Sequence, residues 1–152
     1  MEIPSVAQLI PVLQTAIGPM ILISGIGLLL LTMTNRLGRA IDRTRVLVGD
    51  LSNIAEAKRE KTVAQLRILW DRARMIRLAI ALASVSALAA AILIIVLFTT
   101  VLLQMESAWI IVTLFMVSLV SLIGSLVIFI RDIHQSLAAL KLELVAEEVI
   151  AS

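Results

Sequence analysis

Three long stretches without a charged residue constrain the fold of this chain more than any other feature. They cover Ile10–Met33, Leu78–Met105 and Ser107–Ile130, and they contain 24, 28 and 24 residues. A helix needs about 20 apolar residues to cross the ~30 Å hydrocarbon core of a bilayer. The stretches are continuously apolar and do not alternate as barrel strands do. The sequence therefore predicts an all-α integral membrane protein, with transmembrane helices at about 10–34, 78–104 and 109–130.

The composition supports membrane residence and excludes several classes of site. Of the 152 residues, 61% are hydrophobic and only 16% are charged, whereas about a quarter of the residues in soluble domains are charged. A single soluble domain of this size cannot hide so much apolar surface. The chain has no Cys and one His, so disulfides, thiolate metal sites and multi-His centres within one chain are excluded. We predict one membrane domain over residues 1–152 and find no catalytic constellation, so we expect neither an enzyme nor a bound metal or cofactor.

The distribution of charge predicts the orientation in the membrane. Arg36–Arg77 contains eleven Lys and Arg residues against five acids, whereas the rest of the chain contains two against six. The positive-inside rule places this segment in the cytoplasm, with the N-terminus outside and the C-terminal tail inside. The flank before the first stretch contains Glu2 and no Lys or Arg, which favours a retained helix over a cleaved signal peptide.

The segments on the cytoplasmic side also show helical periodicity. The sequence predicts a helical hairpin over about 36–77 with a turn at Gly49–Asn53, and a C-terminal helix over 131–150. Apolar residues recur every three or four positions in both segments, in phase with the membrane stretches. These apolar faces pack against one another or against neighbouring subunits; the alternative is a basic amphipathic helix that lies on anionic lipid.

A stripe of small and polar residues distinguishes the first stretch, and it has two interpretations. We call it the polar stripe; its members are Gln14, Gly18, Gly25, Thr32 and Asn35. One interpretation is close helix packing, because small residues let backbones approach. The other is the lining of a pore in a symmetric homo-oligomer, where each residue forms a ring. The second and third stretches also carry small residues, such as Ala83 and Ser118, which we interpret as packing seams.

Two further features of the membrane stretches bear on mechanism. Pro19 has no N–H group for the Thr15 carbonyl, so Gly18–Pro19 is a candidate hinge. None of the three stretches contains an ionisable residue. Ion-coupled transporters usually keep such residues at membrane depth, so coupled transport is disfavoured and a passive pore is not.

A cluster of basic residues follows the first stretch directly, and it too has two interpretations. Its members, Arg36, Arg39, Arg43 and Arg45, surround Asp42. They anchor the helix to lipid phosphates, with local Arg39–Asp42 or Asp42–Arg45 pairs, or they form a basic ring or a phosphate site at a cytoplasmic mouth. A second cluster is placed to pair with the first across the hairpin, and its members are Asp71, Arg72, Arg74 and Arg77. Nucleic acid is an unsuitable partner because aromatic residues are scarce and no recognition motif is present.

The segment from Thr32 to Arg45 resembles a known family. Its motif is Asn-Arg-Leu-x-Arg-x-x-Asp-Arg-x-Arg, carried here by residues 35–45. The chain is similar, from about Pro4 to His134, to small bacterial inner-membrane proteins catalogued only as a domain of unknown function. The resemblance implies bacterial origin, three spans and residence in the inner membrane, and it implies no reaction.

Two hypotheses for function follow from these patterns. The first is a homo-oligomeric passive ion channel or pore that is lined by the first helix. The second is a non-conducting scaffold or regulatory subunit whose basic cytoplasmic helices bind a partner or anionic lipid.

Overall fold

The chain forms three long α-helices in a computed structural model. They are α1 (Val6–Asp50), α2 (Glu56–Leu103) and α3 (Ala108–Ala151). The structure describes residues 6–50, 56–104 and 108–151, with side chains described for 9–49, 59–60, 62–104 and 108–135. No strand occurs in these ranges, which confirms the all-α prediction. Of the turn predicted at Gly49–Asn53, residues 51–53 lie outside the described ranges.

All three helices are long and apolar enough to cross a membrane, as predicted. They contain 45, 48 and 44 residues, so each is about 70 Å long at 1.5 Å per residue. That length is roughly twice the thickness of the hydrocarbon core. Each helix therefore extends well beyond the apolar stretch that it contains. Helix α1 runs without interruption through Pro11 and Pro19.

The helices contribute to two compact units. The membrane unit comprises residues 1–32 and 80–125, and the basic unit comprises residues 33–79 and 126–152. By sequence position, all 13 Lys and Arg residues belong to the basic unit. The division therefore separates the apolar segments from the charged ones, as the charge pattern predicts. The organisation as a single membrane domain stays a prediction.

Helices α2 and α3 approach closely in the membrane unit through a pair of buried serines. The Ser86 hydroxyl donates to the Ser118 carbonyl oxygen at 2.7 Å, and the Ser118 hydroxyl donates to the Ser86 carbonyl oxygen at 3.0 Å. A Cβ added at Gly124 would meet Leu82 Cδ1 at 3.4 Å. Small side chains thus let the two backbones approach, and the hydroxyls hydrogen-bond across the contact.

Large apolar side chains cover the outside of the membrane unit. Leu28 of α1, Ile95 of α2 and Val120 of α3 are 69%, 63% and 61% exposed. In water this surface would be strongly unfavourable, whereas lipid chains solvate it without cost. The membrane unit is therefore solvated by lipid on its outer surface.

Candidate functional site

A buried carboxylate is the most unusual group in the basic unit. Asp132 of α3 has no exposed surface. Its Oδ2 lies 3.1 Å from Arg36 Nη2 of α1, and its Oδ1 lies 3.5 Å from Arg72 Nε of α2. A buried charge is tolerated when opposite charges lie beside it. This acid therefore joins all three helices of the basic unit through two arginines.

The packing of α3 explains why Asp132 is buried. Ser118, Ser125 and Asp132 follow one another at seven-residue intervals, and each is at most 1% exposed. A seven-residue interval returns a helix to nearly the same face. Asp132 therefore lies on the buried face of its helix, although Arg131 and Ile133 beside it are exposed.

An aromatic ring completes the surroundings of Arg36. The guanidinium carbon of Arg36 lies 5.4 Å from the centre of the Phe129 ring, one helical turn before Asp132. A guanidinium at this distance from a ring is stabilised by the cation–π interaction. Arg36 is thus held by a carboxylate and a ring from the same face of α3, and its side chain is only 22% exposed.

A cavity lined by four arginines opens beside this ion pair. Its volume is about 250 Å³, and Arg36, Arg39, Arg43 and Arg72 line it together with the apolar residues Ala40, Leu69 and Ile76. We call it the arginine cavity. Positions 36, 39 and 43 share one face of α1 because they are three and four residues apart. The arginine cavity therefore concentrates positive charge against an apolar wall.

The structure separates the predicted basic cluster into two groups. Arg36, Arg39 and Arg43 line the arginine cavity, whereas Arg45 does not. Asp42 is exposed, and neither of the predicted local pairs, Arg39–Asp42 or Asp42–Arg45, is among the ion pairs of the described residues. Within the cluster, Arg36 forms an ion pair with Asp132 instead.

Among the ion pairs of the described residues, the two basic clusters are connected through a shared acid, Asp132, and not by a direct pair between them. Arg36 and Arg72 come from the two halves of the predicted hairpin, and both contact Asp132. Sequence reasoning missed Asp132 because it follows Arg131 at the end of a span, where a charge is unremarkable. Its seven-residue spacing from Ser118 and Ser125, which lie on the predicted packing seam of the third stretch, is the sequence signal that could have found it.

All five members of the polar stripe are exposed on α1. The buried residues of this helix lie on another face and include Ala16, Ile26 and Met33. A Cβ added at Gly18 or Gly25 would meet no described atom within 4 Å. The stripe therefore does not pack against the described side chains of α2 and α3.

A second cavity in the basic unit has a different character. It has a volume of about 360 Å³ and is lined by Leu37, Ile41, Trp70, Ala73, Arg74 and Arg77. We call it the tryptophan groove. Trp70 is 70% exposed there. An indole ring, which is apolar except for its N–H group, is typical of a surface at the headgroup level of a membrane when it lies beside arginines.

Comparison with known proteins identifies the family. Residues 16–142 match the model of a family described as Protein of unknown function (DUF2721). The chain belongs to this family. The match confirms the resemblance to a domain of unknown function. No curated protein and no solved structure matches the chain.

Proposed function

We propose that this protein is a homo-oligomeric passive pore of the bacterial inner membrane, lined by the polar stripe of α1. In this arrangement the N-terminus is outside and the basic unit and the C-terminus lie in the cytoplasm. The observation that carries the proposal is the exposure of the stripe: Gln14, Gly18, Gly25 and Thr32 lie on the outside of the membrane unit, where no described residue covers them.

Exposure of an amide to lipid is the first physical argument. Gln14 is the fifth residue of its apolar stretch, so it lies about 6 Å along the helix axis from the start of that stretch. An amide without a hydrogen-bonding partner costs several kcal/mol in hydrocarbon. A ring of copies around an aqueous axis supplies water and neighbouring amides to this group.

The glycines supply a second argument. Gly18 and Gly25 have open space where a Cβ would lie, and both weaken a helix interior relative to alanine by about 1 kcal/mol. Packing within the chain does not require them. In the proposed ring they face the axis, where the lack of a side chain leaves room for water or a cation.

The absence of ionisable residues from the three stretches favours passive conduction. The Thr32 hydroxyl donates to the Leu28 carbonyl oxygen at 3.0 Å, and the Ser24 hydroxyl donates to the Met20 carbonyl oxygen at 3.1 Å. Their donors are thus satisfied within α1, and the oxygen lone pairs remain available to water or a cation.

Bilayer recordings of the purified full-length chain test this proposal. Gln14→Leu removes one amide per subunit from the lining, so we expect it to change the single-channel conductance. Val120→Leu is the matched control, because Val120 is exposed on α3 and the substitution also introduces a leucine. Absence of conductance under voltage, tension and pH steps, or an unchanged conductance in Gln14→Leu, contradicts the proposal.

The tryptophan groove favours a second candidate, a non-conducting scaffold or regulatory subunit. Its exposed ring and two arginines, Arg74 and Arg77, present an amphipathic basic surface. Such surfaces bind anionic lipid or an acidic partner. This candidate predicts an assembled protein that does not conduct but binds vesicles containing phosphatidylglycerol more strongly than vesicles of phosphatidylcholine.

A further inference from the structure

We propose that the arginine cavity binds a phosphate ester, and that the headgroup of an anionic phospholipid supplies it. Four arginines line one space of about 250 Å³, and three of them come from one face of α1. Guanidinium groups carry fixed charge and bind phosphate oxygens through two parallel hydrogen bonds. The site is formed within one chain, so it rests on the proposed membrane placement but not on the pore.

The charge within the arginine cavity is strongly unbalanced. Asp132 contacts Arg36 and Arg72 but does not line the cavity. Arg39 and Arg43 are exposed and take part in no ion pair among the described residues. Four positive charges thus face one buried negative charge, beside an apolar wall that strengthens the local field. An anion is the group that this space attracts.

Asp132 also prepares the site for its ligand. Arginine side chains lose conformational freedom when they bind, which weakens binding. Here Asp132 orients Arg36 and Arg72, and the Phe129 ring further restrains Arg36. Two of the four guanidinium groups are therefore held in place before the ligand arrives.

The size and position of the cavity favour a lipid headgroup as the source of the phosphate. Its volume is smaller than the ~300–1,000 Å³ of typical small-molecule pockets, so it accommodates a phosphate and a few attached atoms. Arg36 comes three residues after the last residue of the first apolar stretch, Met33. A lipid phosphate lies at this depth in a bilayer, and basic pockets between transmembrane helices on the cytoplasmic side bind anionic headgroups.

Native mass spectrometry of the full-length chain in neutral detergent tests the site. Phosphatidylglycerol is titrated in one arm and inorganic pyrophosphate in the other, with phosphatidylcholine as the zwitterionic comparison. The variant Arg39→Gln/Arg43→Gln removes two lining charges that are exposed and unpaired among the described residues, so the fold is retained. We expect phosphatidylglycerol to bind the native chain, and the variant to lose about tenfold or more in affinity.

Arg45→Gln provides the matched control. Arg45 is exposed on the same helix, and its replacement removes the same kind of charge, but it does not line the cavity. We expect less than about a twofold change, because an exposed charge outside the cavity acts on the bound headgroup through water, which screens it. Binding of pyrophosphate alone, with the same dependence on Arg39 and Arg43, supports the phosphate site and overturns the lipid source.

Two outcomes overturn the whole proposal. The first is that neither phosphatidylglycerol nor pyrophosphate binds. The second is that Arg45→Gln weakens binding as much as a single cavity substitution, Arg39→Gln, because binding is then a property of the whole basic surface. Conduction in bilayers is measured separately, so failure of this site leaves the pore proposal standing and failure of the pore leaves this site standing.

Discussion

The two partners of the buried ion pair, Arg36 and Asp132, should differ in how much stability is lost when each is replaced. Arg36→Gln and Asp132→Asn break the same contact, which is 3.1 Å long. At an effective dielectric constant of about 20, two unit charges at that distance attract by about 5 kcal/mol before desolvation is counted. We expect Arg36→Gln to destabilise the chain more than Asp132→Asn, because the two side chains differ in their access to water.

The difference in exposure sets the magnitudes. Asp132 has no exposed surface, so loss of Arg36 leaves a buried carboxylate with Arg72 at 3.5 Å. Loss of one partner from a buried pair costs about 3–5 kcal/mol, and we expect about 3 kcal/mol because Arg72 remains. The Arg36 and Arg72 side chains are 22% and 27% exposed. Water therefore reaches both guanidinium groups in Asp132→Asn, and we expect a cost of about 1–2 kcal/mol.

A double-mutant cycle isolates the interaction. Without the carboxylate, Arg36 has no buried charge to neutralise, so the double variant should be about as stable as Asp132→Asn. The coupling energy then equals the cost of Arg36→Gln, about 3 kcal/mol, which is at the upper end of the range seen for contacting residues. Equilibrium unfolding by sodium dodecyl sulfate in mixed micelles, followed by circular dichroism, gives the free energies.

Arg39→Gln is the control for loss of charge alone. Arg39 is exposed and forms no ion pair among the described residues, so its replacement should change stability by less than about 0.5 kcal/mol. The reasoning is refuted if Asp132→Asn destabilises as much as Arg36→Gln, or if the two substitutions are additive in the double variant.

Three other measurements follow from the fold and the proposed orientation. Ser118→Ala removes a buried hydroxyl that donates to Ser86, and should lower the free energy of unfolding by about 1 kcal/mol. Ser121→Ala, at a partly buried position, is the comparison. An equal loss of stability in both variants contradicts a stabilising role for the Ser86–Ser118 hydrogen bonds. A single cysteine at Arg59 should react with an impermeant thiol reagent only after the inner membrane is opened, and a cysteine at Trp109 should react before; the reverse order refutes the orientation. Gly25→Leu places a large side chain in the proposed lining and should reduce the single-channel conductance, whereas an unchanged conductance refutes the assignment of Gly25 to the lining.

The sequence predicts the elements of this fold well because membrane solvation is a strong constraint. A bilayer requires long apolar helices, and three charge-free stretches satisfy that requirement without reference to tertiary contacts. The continuation of the helices beyond the stretches follows from the same apolar periodicity. The separation of charged and apolar residues into two units is also visible in the sequence, since no Lys or Arg falls in the membrane unit.

The candidate site was predicted only in part, for a physical reason. Arg36, Arg39 and Arg43 share a helical face that spacing reveals, whereas the contribution of Arg72 and the burial of Asp132 depend on contacts between helices. Local charge patterns favoured Asp42 as the partner because it is close in sequence. Asp132 is the partner instead, since a buried carboxylate requires neighbouring positive charge, whereas the exposed Asp42 is solvated by water.

Cysteine accessibility in native membranes tests the central claim, that the polar stripe faces an aqueous path. The chain has no natural Cys, so single substitutions at Gly18 and Gly25 give signals without background. A thiol reacts as its thiolate, which requires water. We expect both positions to react with a water-soluble reagent at least about tenfold faster than cysteines at the buried Ile26 or the lipid-exposed Val120. Equal reactivity at the stripe and at Val120 contradicts the account.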